Sequence, residues 1–403
     1  MMALKYIFKN LWSFMTLLSC MAFVGCVHQL EIDDEDTQSS VVEIGNFEMQ
    51  SSEVITRANT GYHAFNAGTD LPADPILIGF TQKLPAGSNE IMWSTATYDS
   101  ESDPAKWRSN IRVKKYYEDE KPIVYHKVFA ILTGREVYNS ISTSLSDVEN
   151  PVLTISNVPA ICASNILVSS GASLQADGSN TLTKGQYSAH LVKDTGGSKN
   201  HLMNFMMDNI MCGLNVKFKI SSPYSNLRDI ILKSVSISSS DETTDNYSVA
   251  ITFTSTGAQV TGMTASGSSK VEYKVLKNTD DDIIIDSYHP VLGGKGYKGM
   301  VLKSDAQSFM SCYMVPGLAN DAAKLQNLSM TVTYDVFDKK GNLIRPDQTA
   351  TNKLTGALSD KSNNSLIKAN NMINLLVTVA PTYLYNLSDD DLDNPGITIT
   401  NIN

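Results

Sequence analysis

The residue best placed for chemistry is Cys26, whose thiol follows a leader typical of exported proteins. Lys5 and Lys9 precede the apolar run Leu11–Val24, and Gly25 stands directly before the cysteine. The run has 14 residues, whereas a helix needs about 20 to cross a bilayer, so a signal peptide is favoured over a membrane anchor. The segment resembles a bacterial lipobox. This predicts cleavage before Cys26 and acylation of its thiol; an ordinary signal peptide with a coincidental cysteine is the alternative.

A second bond suited to processing joins Arg57 to Ala58. No lysine or arginine occurs between Lys9 and Arg57, and the segment Glu31–Asp36 is acidic. The acidic segment resembles the surface-export signals of Bacteroidetes lipoproteins, and a solvated flexible tether is the alternative. One cut after Arg57 by an arginine-specific protease would free the chain from its lipid. An ordinary loop arginine remains the alternative, because single-residue protease signals are common by chance.

Composition limits the classes of partner. The chain has 403 residues, a formal net charge of −10 and a pI near 5.1, and this length predicts about two domains once the leader is removed. A nucleic-acid partner is disfavoured, because there is no basic stripe to neutralise phosphates. Charged residues are only 18% of the chain, and Ser, Thr and Asn are abundant, which is typical of exposed all-β surfaces.

Two motifs could hold a ligand, but their context argues against it. Gly294–Gly299 matches the dinucleotide pattern GxGxxG, yet a strand-like segment, Met300–Leu302, follows where the cofactor site needs a helix. The alternating aspartates of Asp389–Asp393 resemble the start of a calcium loop, but Asn394 and Thr400 stand where such a loop needs Gly and Glu. A β-loop and a solvated acidic linker are the favoured interpretations. No cofactor is predicted.

The remaining reactive side chains do not form a catalytic pattern. Cys162, Cys212 and Cys312 lie among apolar neighbours without CxxC spacing, which favours small buried hydrophobes, although one disulfide is possible in an oxidising compartment. The six histidines show no metal-ligand spacing, and no metal site is predicted. With no GxSxG motif and no Cys/His arrangement, we expect a protein that is not an enzyme.

The elements that carry these residues are predicted to be strands. Short alternating or continuous apolar runs recur between turn residues from Ile76 onward, which favours an all-β fold built of sandwiches. Asp338–Asn342 predicts a tight hairpin turn. The segment His201–Gly213 is apolar on nearly every side, and helix and extended strand remain open for it. The Gly/Ser/Lys loop Thr195–Asn200 before it is the predicted domain boundary.

Three segments of the second half resemble the fimbrillins, lipoprotein-derived pilins of the Bacteroidales that form type V pili. Met314–Pro316 followed by Leu328–Asn342 is similar to the family's P…LxVTYxVxDxxG stretch, and Asn371–Val379 to its late strand. His201–Val216 occupies the place of the segment that opens the family's second domain. The leader and Thr56-Arg57-Ala58 fit the same pattern. The resemblance therefore extends in order over nearly the whole chain.

The resemblance implies two tandem transthyretin-like Greek-key β-sandwich domains and a specific route of assembly. Fimbrillins reach the outer membrane as lipoproteins and are then cut by an arginine-specific protease, which removes the tether and an N-terminal strand. A C-terminal segment of a neighbouring subunit then fills the groove. In this chain the candidate donor residues are Ile397 and Ile399, which alternate with polar residues; a last strand of the chain's own sheet is the alternative.

The sequence thus predicts a pilus subunit with five segments. They are a signal peptide (1–25), an acidic tether with a removable strand (26–57), an N-terminal sandwich (58–200), a C-terminal sandwich (201–380) and a tail (381–403). The expected partners are other pilin subunits, the outer membrane through lipid on Cys26, an arginine-specific protease and a host or bacterial adhesion ligand. A tip or accessory adhesin, or a surface glycan-binding lipoprotein, is the alternative. For the last, Trp93 and Trp107 are the available platforms.

Overall fold

The structure is a computed structural model, and it describes most of the chain after residue 38. The described residues are 39–51, 53–54, 62–66, 75–83, 89–109, 112–114, 124–133, 141–144, 150–175, 182–187, 201–240, 246–265, 269–276, 297–316, 328–381 and 392–403.

Strands make up nearly all of the regular structure, which confirms the predicted all-β class. They are β1 (Ser39–Gln50), β2 (Glu53–Val54), β3 (Tyr62–Ala64), β4 (Ile76–Lys83), β5 (Asn89–Asp99), β6 (Lys106–Ser109), β7 (Arg112–Lys114), β8 (Val124–Leu132), β9 (Ile141–Ser144), β10 (Val152–Pro159), β11 (Ile161–Cys162), β12 (Leu167–Gln175), β13 (His201–Asn209), β14 (Cys212–Ile220), β15 (Asp229–Ser239), β16 (Asn246–Thr254), β17 (Gly257–Ala265), β18 (Glu272–Leu276), β19 (Met300–Val301), β20 (Gln307–Met314), β21 (Leu328–Phe337), β22 (Leu343–Lys353), β23 (Asn371–Ala380) and β24 (Gly396–Asn401). A one-turn helix, α1 (Ser222–Ser225), follows β14.

The strands form four sheets, which we group into two units. The N-terminal unit contains a nine-stranded sheet, in the order β3-β1-β13-β12-β8-β4-β5-β6 with β7 on β1, and a four-stranded sheet, β17-β16-β10-β9. The C-terminal unit contains a six-stranded sheet, β11-β20-β14-β23-β2 with β24 on β23, and a five-stranded sheet, β18-β15-β21-β22 with β19 on β15. Buried side chains from all four sheets form one continuous hydrophobic core.

Alternating burial explains why these segments are strands. In β16 the side chains of Tyr247, Val249, Ile251 and Phe253 are buried, while the residues between them are partly exposed. A period of two places one set of side chains on the core face and the other toward solvent. The same alternation runs along β23, from Ile373 to Val379.

The predicted hairpin at Asp338–Asn342 is confirmed. It joins β21 to β22, which pair antiparallel, and the main-chain N–H of Asp338 donates to the Asn342 carbonyl over 3.0 Å. Gly341 takes a φ of 77°, which a glycine adopts without the steric cost of a Cβ. The main-chain N–H of Asn342 also donates to the Asp338 carboxylate and lowers its pKa. A turn of this kind fixes the register of the two strands.

The two sheets of the N-terminal unit meet through aromatic rings. Phe129 of β8 stacks on Phe253 of β16 with centroids 4.5 Å apart. The Lys127 ammonium donates to the Phe253 carbonyl over 2.8 Å. On the neighbouring strand, a Cβ at Gly79 would lie only 2.7 Å from the Phe129 ring. Gly79 therefore leaves room for the ring that joins the two sheets.

Strand pairing also shows where the chain passes from one unit to the other. β13 pairs with β1 and β12 in the nine-stranded sheet, whereas the predicted boundary placed residues 201–209 in the second domain. The chain passes into the C-terminal unit at Ile210 and Met211, and β16 and β17 then return to the four-stranded sheet of the N-terminal unit. His201–Asn209 is extended, which decides between helix and strand for that segment. Its apolar side chains are buried on both faces because neighbouring strands and sheets cover them.

The contact between the sheets leads to a stability prediction. We expect Phe253→Ala to lower the free energy of unfolding by about 3–5 kcal/mol, because it removes a fully buried ring and leaves a cavity beside Phe129. Ser248→Ala, at a partly exposed position of the same strand, is the matched control and should change it by less than about 0.5 kcal/mol. Guanidinium unfolding measures both. Equal effects of the two variants would contradict the role of Phe253.

Candidate functional site

The predicted processing residues Gly25, Cys26, Arg57 and Ala58 lie outside the described residues. The segment between the two predicted cleavage bonds is described in part, as β1 and β2. The candidate donor residues of the tail are described in β24. The candidate site therefore consists of β1, β2 and the strands that hold them, together with the tail.

Strand β1 is held mainly from one side. It pairs in parallel with β13, from Val42 opposite His201 to Met49 opposite Met207. It also pairs with β7 through residues 39–41 and, on the edge opposite β13, with β3 through residues 48–50. Within the described strands, the longest pairing of β1 is therefore the one with β13.

The side chain of Phe47 closes the nine-stranded sheet. It is fully buried and stacks on Phe205 of β13 with centroids 5.2 Å apart. Its other neighbour is Trp107 of β6, whose ring meets it edge to face at 4.6 Å. Because β6 lies at the far end of the sheet, this contact brings the two ends of the sheet together.

Further apolar contacts anchor the same region. Ile44 and Met49 of β1 are buried. Just beyond β3, the main-chain N–H of Phe65 donates to the Phe47 carbonyl over 2.9 Å, and the Phe65 ring packs on Trp107 at 4.9 Å. Trp93 packs on Phe129. Both tryptophans are thus partly buried and pack against the core, although the sequence analysis named them as available platforms for a glycan.

A network of side-chain amides joins the end of β1 to both units. The main-chain N–H of Asn209 donates to the Gln50 side-chain oxygen Oε1 over 3.0 Å. The Asn209 amide Nδ2 donates to the Gln50 carbonyl over 2.9 Å and to Asn370 Oδ1 over 2.7 Å. Its oxygen Oδ1 accepts from Asn165 over 2.6 Å. Asn370 precedes β23, so Gln50 and Asn209 lie where the two units meet.

A polar bridge reaches over β1 from β3 to β13. The Tyr62 hydroxyl donates to Asp208 Oδ1, and the Lys184 ammonium lies 2.6 Å from Asp208 Oδ2. Burial and the hydrogen bond to Asp208 raise the pKa of Tyr62, so the hydroxyl stays protonated and remains a donor. The bridge ties β3 to β13 although β1 lies between them in the sheet.

The tail is attached to the C-terminal unit. β24 pairs antiparallel with β23, with Ile397 opposite Val379 and Ile399 opposite Val377. The Tyr334 hydroxyl donates to the Pro395 carbonyl. The structure thus has Ile397 and Ile399 in the chain's own sheet, and their role as a donor for another chain stays a prediction.

Strands β2 and β24 share one edge of β23. The main chain of β2 pairs in parallel with Asn371 and Met372. The tail lies beside β2 at Asn403. The side-chain Nδ2 of Asn403 donates to the Met372 carbonyl over 2.8 Å, and its side-chain Oδ1 accepts from the main-chain N–H of Asn374 over 2.9 Å. The N-terminal segment and the C-terminal residue therefore meet at Met372.

The structure describes the three inner cysteines fully, and the glycine and aspartate motifs only at their C-terminal ends. Cys162, Cys212 and Cys312 are buried free thiols, and burial raises the pKa of Cys212 to about 12. β19 begins directly after Gly299, as the strand interpretation of the glycine motif requires. Asp389 and Asp391 of the predicted solvated linker lie outside the described residues, whereas Asp393 is buried and pairs with Arg228 at 2.9 Å. Over the described ranges, no three His, Cys, Asp or Glu side chains come together as metal ligands, and no helix has the length and apolar character to span a membrane.

Three solved structures resemble this chain in fold. A fimbrial protein from Bacteroides vulgatus has a similar structure, with 13% identity, a TM-score of 0.43, and coverage of 88% of this chain and 98% of that one. A candidate cell adhesion protein from Bacteroides uniformis has 13% identity and a TM-score of 0.34 over 88% and 95% of the two chains. The fimbrial anchor protein Mfa2 from Porphyromonas gingivalis has 11% identity and a TM-score of 0.27 over 89% and 94%.

These three neighbours are described as a fimbrial protein, a candidate cell adhesion protein and a fimbrial anchor protein. Their TM-scores are low, so no residue role passes from them to this chain. No family model matches the sequence. The search of curated proteins gives no match.

The position of Phe47 leads to a second stability prediction. We expect Phe47→Ala to lower the free energy of unfolding by about 3–5 kcal/mol, because Phe205 and Trp107 lose the ring between them. Glu48→Ala on the same strand, at a partly exposed position, should change it by less than about 0.5 kcal/mol. Urea unfolding followed by tryptophan fluorescence measures both variants. A tolerated Phe47→Ala would mean that β1 does not close the sheet.

The buried thiols lead to a prediction about reactivity. Burial raises the pKa of Cys212 to about 12 and raises the pKa of Cys312 as well. At neutral pH these two side chains are therefore almost entirely in the thiol form. In a chain with Cys20 and Cys26 changed to serine, we expect a colourimetric thiol reagent to label no cysteine until the protein unfolds. Ser304→Cys, at an exposed position, is the positive control and should react within minutes. Rapid labelling of the folded chain without the Ser304→Cys change would contradict the burial of the thiols.

Proposed function

We propose that the protein is a structural pilus subunit of the fimbrillin type. It is exported as a lipoprotein through Cys26, carried to the outer membrane surface and cut after Arg57. It then polymerises head to tail by strand exchange in a fimbrium that supports adhesion. The observation that supports this most strongly is β1, because a strand that closes the nine-stranded sheet lies entirely before Arg57.

A cut after Arg57 would leave β1 bound by non-covalent contacts alone. When β1 leaves, the edge of β13 loses its parallel partner and the rings of Phe205 and Trp107 lose Phe47. Unpaired main-chain groups and exposed apolar surface are costly until another strand refills the gap. Strand addition supplies main-chain hydrogen bonds for affinity and side-chain pockets for specificity.

The same cut would also free an edge in the C-terminal unit. β2 precedes Arg57 and pairs with Asn371 and Met372, directly beside the end of the tail. One proteolytic event thus opens a site in each unit. The tail of a neighbouring subunit, with Ile397 and Ile399, is the proposed donor. A contact in which one subunit gives and the next receives is directional and does not close on itself, so it generates filaments.

The bridge from Tyr62 to Asp208 suits this mechanism. It connects β3, which follows Arg57, to β13, and it does not include any residue of β1. When β1 leaves, β3 stays tied across the gap. The incoming strand would therefore enter a slot with β13 on one side and β3 on the other.

Variants of Arg57 test the proposal in the cell. We expect the wild-type protein extracted from the cell surface to begin at Ala58 and to run as an SDS-resistant ladder. Arg57→Lys keeps the positive charge but is not a substrate of an arginine-specific protease. We therefore expect this variant to remain as a lipidated monomer that begins at Cys26. N-terminal sequencing and immunoblotting measure both properties.

A variant at a different arginine is the matched control. Arg108→Lys, on β6, should leave the mature N-terminus and the ladder unchanged. The proposal fails if the wild-type protein is found on cells only in the form that begins at Cys26, or if Arg57→Lys forms the same ladder as the wild type.

A further inference from the structure

The end of β1 carries one contact that a generic strand could not reproduce. The parallel pairing of β1 with β13 ends at Met49 and Met207. Two residues further on, the main-chain N–H of Asn209 also has its partner in β1, but that partner is the side-chain oxygen of Gln50. The Gln50 side chain thus supplies the hydrogen bond that a main-chain carbonyl would supply in a longer ladder.

Asn209 has no alternative partner for this N–H within its own network. The residue is 7% exposed, and its side chain is fully engaged with the Gln50 carbonyl, Asn370 and Asn165. The next N–H of the chain, at Ile210, is bonded to the Ile166 carbonyl on the opposite side. An apolar residue in place of Gln50 would leave a buried donor without an acceptor, which costs more than the bond itself contributes.

We infer that Asn209 makes the β1 site selective for strands that carry a side-chain oxygen acceptor at the position of Gln50. The occupant is a strand of a second subunit, parallel to β13. It has buried apolar residues at the positions of Phe47 and Met49 and a side-chain oxygen acceptor in the next position, which is the place of Thr400 when Ile397 and Ile399 of the proposed donor tail take the two apolar positions. This inference rests on the proposed strand exchange and adds a residue that fixes the register of the incoming strand.

The Asn209 N–H distinguishes between two possible registers of the incoming strand along β13. A shift of the incoming strand by two residues keeps its apolar side chains on the core face, because the strand period is two. The apolar pockets alone therefore do not distinguish the two registers. Only one of them places the acceptor opposite the Asn209 N–H, so Asn209 supplies the discrimination that apolar burial lacks.

The test uses the full chain with a site-specific protease sequence in place of residues 55–60. After the cut, excess labelled peptide of residues 39–54 displaces the bound segment, and the rate of exchange reports its release. We expect the cleaved segment that carries Gln50→Leu to be released about tenfold faster than the wild-type segment. This factor corresponds to the loss of one buried hydrogen bond. Gln50→Glu keeps the acceptor and should stay within about threefold of the wild type.

Glu48→Leu is the matched control, a polar-to-leucine change at a partly exposed position of the same strand, and it should not accelerate release. Equal release of Gln50→Leu and Glu48→Leu overturns the inference, as does release of Gln50→Glu at the rate of Gln50→Leu. Because the engineered cut does not use Arg57, these outcomes are independent of whether cells process the chain there.

Hydrogen exchange in the uncut chain gives a second measurement that needs no strand release. We expect the Asn209 amide to exchange at least about tenfold faster in Gln50→Leu than in the wild type, with Gln50→Glu and Glu48→Leu unchanged. The Asn204 amide, in the middle of β13, is the internal control and should keep its rate in all variants. Unchanged protection of Asn209 in Gln50→Leu also overturns the inference.

Discussion

The contact of Phe47 with Phe205 and Trp107 is the interaction on which the N-terminal unit depends. Phe47 belongs to the first described strand, Phe205 to the strand beside it and Trp107 to the far end of the same sheet. A long twisted sheet has two edges that expose main-chain donors and acceptors. The aromatic contact draws those ends together, so one strand at the beginning of the chain completes a core formed by residues far along it.

Under the proposed cleavage after Arg57, this arrangement would couple the stability of the chain to its processing. A strand that completes a core contributes most to stability when it stays in place, yet the covalent link from β1 to the strands after it runs through the segment that contains Arg57. The amide network of Gln50, Asn209 and Asn370 extends the same dependence to the C-terminal unit. If the chain is cut after Arg57 as proposed, that one bond would separate a chain with both edges filled from one with an open edge in each unit, which is the property that the proposed directional assembly requires.

Sequence patterns predicted the local structure well, and the pairing of distant strands less well. Alternating burial and the hairpin at Asp338–Asn342 followed from period and turn chemistry, which depend on neighbouring residues alone. The boundary after residue 200 stays a prediction: β13 begins there and pairs with β1 and β12, and a Gly/Ser-rich loop marks a break in regular structure without showing which sheet the next strand joins. The Gln50 contact carried no signal in the sequence, since a glutamine at a strand end is ordinary until its partner is known.

The sequence by itself determined the all-β class and the isolation of Arg57 as a basic residue, and it predicts a leader that is cleaved before Cys26. These properties depend on residue type and short-range spacing. Only the tertiary structure decided that β13, β16 and β17 belong to the N-terminal unit and that Phe47 closes its sheet. The reason is physical: a strand selects its partners by the fit of side chains and the register of main-chain hydrogen bonds across segments far apart in the chain, and no local pattern encodes that choice.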